Sequence, residues 1–179
     1  MALFTFDNSK SSGGGPFGIF RGQTDSDGNP IFEERTFDDY KVPPAGQYRM
    51  KLSGFAEPKE VPDNFNEGKT KIETKLEIEI MDGPGKGHKF IVSWVTFSLG
   101  DRANAFHLYV ATMCDGDKKK APQQRSWDDM LGKEFTGYVT NPKMKDDGTP
   151  ARAGLSWDTL GPVKEGAAGY DPFNSASAA

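Results

Sequence analysis

The sequence has little with which to build a disulfide, a metal site or a membrane span. Its single cysteine, Cys114, excludes an internal disulfide and ends an apolar helical pattern, so we expect a small buried residue there. His88 and His107 have no cysteine or carboxylate nearby at a metal-ligand spacing, so we expect neither a metal nor another cofactor. No apolar run reaches the roughly 18 residues of a membrane span, and the N-terminus lacks the features of a signal peptide. We therefore expect a cytosolic protein that does not bind a membrane.

A catalytic signature is also lacking. No serine, histidine and acid stand in a known local arrangement, and the pairs Asp128–Asp129 and Asp146–Asp147 are typical of a first helical turn and of a loop. The glycine-rich stretch at residues 82–89 has the wrong spacing for a phosphate-binding loop, and a strand follows it instead of a helix. We predict that its glycines form a hairpin turn with positive φ and that the protein is not an enzyme.

The charge of the chain is small and unevenly spread. The formal net charge is −4, which argues against a protein that simply coats DNA with basic surface. Residues 1–45 carry four basic and seven acidic groups, whereas residues 46–162 carry 17 of each. The acidity therefore lies in the flanks, and any charged partner must recognise a local patch of the central part.

Composition divides the chain into three parts. Residues 1–42 are predicted to form a flexible arm, because they contain a glycine–serine tract and a turn cluster between scattered aromatics. Those aromatics either dock on the domain or contact a partner. Residues 43–162 are predicted to form a single domain that starts at the sequence VPPAG, and residues 163–179 a disordered tail.

Alternation of apolar and polar residues predicts the first two strands of the domain. Residues 47–55 form one strand, and Gly54 marks a bulge or a sharp bend in it. Its buried face is expected to carry Tyr48, Met50 and Leu52. Residues 57–70 are expected to form a long polar loop, and residues 71–80 form the clearest strand, with aliphatic side chains on one face. The outward face of that strand is expected to carry Lys71, Glu73, Lys75, Glu77 and Glu79.

The third strand, at residues 88–97, is apolar on both faces, so alternation does not decide which face is buried. Either the set with Trp94 or the set with Phe97 fills the interior. The remaining set then has aromatic side chains to present to a ligand.

A helix follows at residues 100–114, with Asp101 as its N-cap or first-turn acid. A short helix at residues 126–132, with Ser126 as its cap and Gly132 as its stop, and two strands, at residues 133–140 and 151–157, complete the domain. The order is strand, strand, strand, helix, strand, strand, which is the order of the five-stranded OB barrel. We therefore predict a mainly β protein built on an OB-type barrel, with a helix between strands three and four.

Three segments together resemble one family: PPAGQYRMKLSGF, KLEIEIMDGPGKGHKFIVSWVTF and WDDMLGKEFTGYV. They are similar to phage-type single-stranded-DNA-binding proteins of OB fold, in which a strand ends in a G-x-x-x-G hairpin and an L-G-K segment opens strand four. Here these motifs are Gly83 to Gly87 and Leu131 to Lys133, and the resemblance covers about residues 43–160. It implies non-catalytic binding of single-stranded DNA in phage DNA replication or recombination, in the cytoplasm of an infected bacterial host.

Such proteins stack bases on exposed aromatics and follow the backbone with lysine and arginine. The candidates on the strands and the hairpin are Arg49, Lys51, Phe55, Lys71, Lys75, Lys86, Lys89 and Trp94. The candidates in loops are Lys118, Lys119, Lys120, Lys143 and Lys145. For Trp94 the alternative is a place in the core, and for the basic run at residues 118–120 it is a solvated loop.

The glutamates of the second strand oppose a DNA path across it, because carboxylates repel phosphate. Three readings remain open. DNA crosses only the end with Lys71 and Lys75, or the glutamates pair with neighbouring lysines, or this strand lies at the wet rear of the barrel.

The tail and the class of function each leave further alternatives open. Tyr170 and Phe173 either recruit replication or recombination proteins or belong to an unstructured end. A different class of function also fits, a structural or interaction component of a virus particle that uses the barrel as a plug and the arm as a strap. A third alternative that fits the same sequence is a small regulatory partner of a nuclease or polymerase.

Overall fold

The computed structural model of the chain describes residues 18–35, 43–140 and 153–164. In these residues eight strands form one antiparallel sheet. The strands are β1 (Gly18–Thr24), β2 (Pro30–Arg35), β3 (Gly46–Ala56), β4 (Lys59–Pro62), β5 (Thr70–Ile80), β6 (Lys89–Thr96), β7 (Glu134–Thr140) and β8 (Gly154–Gly161). The helices between β6 and β7 are α1 (Asn104–Met113) and two short 3₁₀ helices, Lys118–Lys120 and Trp127–Met130.

The centre of the sheet is a Greek key. β3, β5 and β6 are antiparallel neighbours, and the chain then passes through α1 and returns as β7 to pair with the other edge of β3. The spatial order β7-β3-β5-β6 is the Greek-key order in which the fourth strand lies beside the first. β8 pairs with β7, and β4 continues the path of β3 along β5.

The prediction of a mainly β protein with a helix after the third barrel strand is confirmed, whereas a closed five-stranded barrel is not observed. Within the described ranges no pairing joins β6 to β8, so the sheet does not close on itself. α1 packs against β8, β7 and β6. β1, β2 and β4 are additional to the five expected strands, because their residues were expected to lie in the arm and in a polar loop.

The main core lies between the sheet and α1. Met50 faces Ile80 and Leu52 faces Ile78 across the β3–β5 pair, and all four side chains are fully buried. Each such burial stabilises the fold by about 1.5–3 kcal/mol. The alternation of β3 and β5 therefore predicted this part of the core correctly.

A bulge in β3 reverses that alternation near its end. The register between β3 and β5 shifts between Leu52 and Gly54, so Phe55 turns inward and is only 5% exposed. The expectation that Phe55 faces outward to stack on a base was wrong. Its ring instead packs against Phe97 and Trp127, with centroids 6.2 and 5.7 Å away.

The described part of the arm, residues 18–35, is a hairpin that joins the same sheet. Phe20, opposite Ala56 of β3, is 1% exposed and forms a second small cluster with Ala56 and Ile91. Some of the aromatics of this segment thus dock on the domain, while Phe17, Phe37 and Tyr40 lie outside the described residues. The domain boundaries at residues 42 and 162 stay predictions.

The region around α1 shows one wrong expectation and two confirmed ones. α1 begins after Ala103 without a side-chain cap, and Asp101 instead pairs with Arg125 at 2.8 Å. Ser126 caps the second 3₁₀ helix in a capping box with Asp129, as its position suggested. Cys114 is buried, and this burial raises the pKa of its thiol.

Candidate nucleic-acid interface

Trp94 lies on a bulge of β6. Between the pairs Thr74–Val95 and Leu76–Val92, the two residues Ser93 and Trp94 of β6 stand opposite one residue of β5. The inward positions therefore switch along the strand, and Phe90, Val92 and Val95 all enter the core. Neither of the two sets expected from alternation fills the interior alone.

The bulge leaves the Trp94 side chain exposed and its backbone strained. Trp94 is 75% exposed and has a φ of 63°, the left-handed region that bulky residues rarely adopt. This conformation costs on the order of 1–3 kcal/mol and is typical of functional sites. Because packing recovers so little of that cost at an exposed position, Trp94 is the strongest candidate contact residue among the described residues.

A second exposed aromatic, Phe65, lies at the tip of the β4–β5 hairpin. The carboxylate of Asp63 accepts hydrogen bonds from the Phe65 backbone N–H at 3.0 Å and from Nδ2 of Asn66 at 2.6 Å. These hydrogen bonds hold the pKa of Asp63 below its usual value of 3.8, and the bond from Asn66 is the largest cause of the shift. The ordered tip leaves Phe65 90% exposed.

Phe65 and β4 were not predicted from the sequence. Residues 57–70 were expected to form a polar loop, although a signal for a contact residue was present. Phe65 is an isolated aromatic in a turn of polar residues, DNFNEG, and has no apolar neighbour in sequence with which to reach a core.

A groove of about 420 Å³ lies between the hairpin and β6. We call it the Trp94 groove; its lining residues are Val61, Pro62, Asn64, Lys71, Glu73 and Trp94. A second hollow, which includes Phe65, shares Pro62 and Asn64 with it, so the two hollows adjoin. The volume of the Trp94 groove lies within the range of about 300–1,000 Å³ that is common for small-ligand pockets.

The charges in the Trp94 groove cancel. Nζ of Lys71 is 2.7 Å from a carboxylate oxygen of Glu73, and this hydrogen bond is the main reason why the pKa of Lys71 is raised. The same Nζ lies 6.0 Å from the centre of the Phe65 ring, at the outer limit of a cation–π contact. The groove therefore combines the exposed indole of Trp94 with a paired lysine and glutamate whose charges add up to zero.

The other glutamates of β5 are also paired with lysines. Glu79 binds Lys51 at 2.8 Å, and Glu77, which is 1% exposed, binds Lys89 at 3.0 Å. At the neighbouring end of β3, Arg49 pairs with Glu134. Of the three readings of this strand, pairing with neighbouring lysines is the one observed. A phosphate that approaches these cations must compete with a carboxylate.

The remaining basic candidates do not line the Trp94 groove. Lys118, Lys119 and Lys120 form an exposed 3₁₀ helix after α1, and Lys120 pairs with Asp115 at 3.1 Å. Lys86 is exposed in the β5–β6 turn, where Gly83, Gly85 and Gly87 all have positive φ, as predicted. Lys75 lies opposite the bulge of Trp94. The candidates Lys143, Lys145, Tyr170 and Phe173 lie outside the described residues.

Comparisons with family models, with curated proteins and with solved structures find no match to this chain. In the described ranges no group of three histidine, cysteine or acidic residues has an arrangement that would hold a metal ion. None of the helices in these ranges is both long and apolar enough to cross a bilayer.

Proposed function

We propose that the protein binds single-stranded DNA without catalysis and acts in phage DNA replication or recombination. The observation that carries this proposal is Trp94. Its indole is 75% exposed, and its backbone has a left-handed conformation on a bulge beside the Trp94 groove. Phe65 on the adjoining hairpin adds a second exposed ring. Two exposed rings at adjoining hollows suit a ligand with successive planar groups, which is what unpaired bases are.

The finer fold that we propose is an OB-type barrel. β3, β5, β6, β7 and β8 supply the five strands, with α1 between the third and the fourth. The OB fold is itself partly open, and it binds oligonucleotides on strands two and three and on the loops after strands one and four. Trp94 lies on the third of these strands and Phe65 between the first and second, so both support the assignment.

In the proposed mechanism the rings supply most of the affinity. Each stacked base contributes on the order of 1–3 kcal/mol, and cations along the path offset the phosphate charge. Lys69 and Lys71 stand at the hairpin, next to the rings, so phosphates between two stacked bases pass close to them. Bound strands are thereby kept from nucleases and from re-pairing.

The test is fluorescence anisotropy of a labelled oligo-dT, with a duplex as control and at two salt concentrations. We expect tight binding of the single strand that weakens with salt, and a loss of roughly 5- to 100-fold in affinity for Trp94→Ala. Phe32→Ala is the matched control, because Phe32 is 41% exposed on β2, four strands from β6 in the sheet. Equal losses in both variants, or no binding by the unmodified chain, would contradict the proposal.

The second candidate, a structural component of a virus particle, is favoured by one observation. The β1–β2 hairpin exposes two apolar side chains on one face near the edge of the sheet, Ile19 and Phe32. Such a patch suits contact with neighbouring subunits. Under this reading the protein is found in purified particles, and Phe32→Ala, not Trp94→Ala, weakens its assembly.

A further inference from the structure

Glu73 differs from the other described carboxylates of β5 in its position, because it is the one that lines the Trp94 groove. Its side chain is 8% exposed, and Oε1 binds Lys71 at 2.7 Å. No described residue donates a hydrogen bond to its Oε2, yet the residue lines the Trp94 groove. Glu77 is buried more deeply and does not line this groove, and its Oε1 accepts hydrogen bonds from Ser53 at 2.9 Å and from Lys89 at 3.0 Å.

The register places Glu73 within reach of a base on Trp94. Glu73 stands opposite Thr96 of β6, and Trp94 is two residues before Thr96 on that strand. Both side chains line the Trp94 groove, which suits a base that stacks on the indole and points one edge at the carboxylate. Lys71 neutralises Glu73, so the carboxylate does not repel the strand as a whole.

We propose that Glu73 makes the Trp94 groove selective for cytosine over thymine in single-stranded DNA. A carboxylate only accepts hydrogen bonds, and the exocyclic amino group of cytosine donates one. Thymine has a carbonyl oxygen at the same position, and its lone pairs face those of the carboxylate. This inference rests on the proposed function, because it names the base that the same groove prefers.

The experiment compares oligo-dC with oligo-dT of about 15 nucleotides, a length near the upper end of an OB site, at slightly alkaline pH. We expect the unmodified protein to bind oligo-dC at least about five-fold more tightly. Glu73→Gln presents an amide that also donates, so the preference should vanish or reverse. Glu79→Gln is the matched control, since Glu79 is another lysine-paired carboxylate of β5, and it should keep the preference.

A second measurement uses the unmodified protein, so it does not depend on how a variant folds. An oligonucleotide in which every cytosine lacks its 4-amino group should lose the advantage over oligo-dT. Equal binding of oligo-dC and oligo-dT, or a preference that survives Glu73→Gln or the loss of the amino group, would overturn the inference alone. Failure of every oligonucleotide to bind would overturn the proposed function and the inference with it.

Discussion

The two ends of β5 are built differently. Toward Ile80 the side chains that face α1 are fully buried, and Glu77 and Glu79, on the other face, are each paired with a lysine. Toward Thr70 the strand borders a groove, Ile72 is 51% exposed, and the neighbouring Trp94 has a strained backbone and a solvated ring. One strand thus stabilises the sheet at one end and leaves apolar surface uncovered at the other, which is the arrangement expected where a ligand completes the packing.

The largest expected effect is on stability at the packed end. Leu52→Ala removes a fully buried side chain opposite Ile78, and we expect the free energy of unfolding to fall by about 2–5 kcal/mol. Ile72→Ala, at the groove end, should change it by about 0.5 kcal/mol or less. Urea denaturation followed by circular dichroism measures both. Similar losses in the two variants would show that the groove end is packed as tightly as the core.

The smallest expected effect is a titration at the hairpin tip. Because the pKa of Asp63 is lowered in the folded protein, its hydrogen bonds favour the fold above the ordinary pKa of 3.8. That contribution is lost as the pH falls through the lowered value. An NMR titration of the carboxyl carbons should give a midpoint for Asp63 below 3.8.

Asn66→Ala should move that midpoint back toward 3.8, since the Asn66 side chain is the main cause of the shift. Asp25, whose pKa is lowered by Asn29 in the β1–β2 turn, is the internal control and should not move. If both aspartates moved together, the shift would come from the whole molecule and not from the ordered tip that presents Phe65.

Local pattern predicted the regular parts of this molecule. Alternation identified Tyr48, Met50 and Leu52 as core, and the glycines after β5 were read correctly as a turn. Where one face of a regular strand is buried, apolar residues recur at every second position, so such a strand can be predicted from its sequence.

The site was harder to predict, because it depends on irregularities of pairing. The bulges that turn Phe55 inward and Trp94 outward arise between strands that meet only in the folded sheet, so the alternation within one strand does not indicate them. The depth of Glu73 likewise depends on the strands packed on either side of it. Trp94 and Lys71 were recognised as candidates from their chemistry, whereas the groove that unites them was not.

The most direct test of the account is Trp94→Gly, measured for both stability and DNA binding. Glycine adopts a φ of 63° without strain, and the lost ring is mostly solvated, so thermal unfolding should occur at the same temperature or higher. Affinity for oligo-dT should fall by roughly 5- to 100-fold. Unchanged or higher stability together with weaker DNA binding would show that the strained residue is retained for binding. A variant that is clearly destabilised but still binds single-stranded DNA normally would show that Trp94 serves the fold, and it would contradict the account.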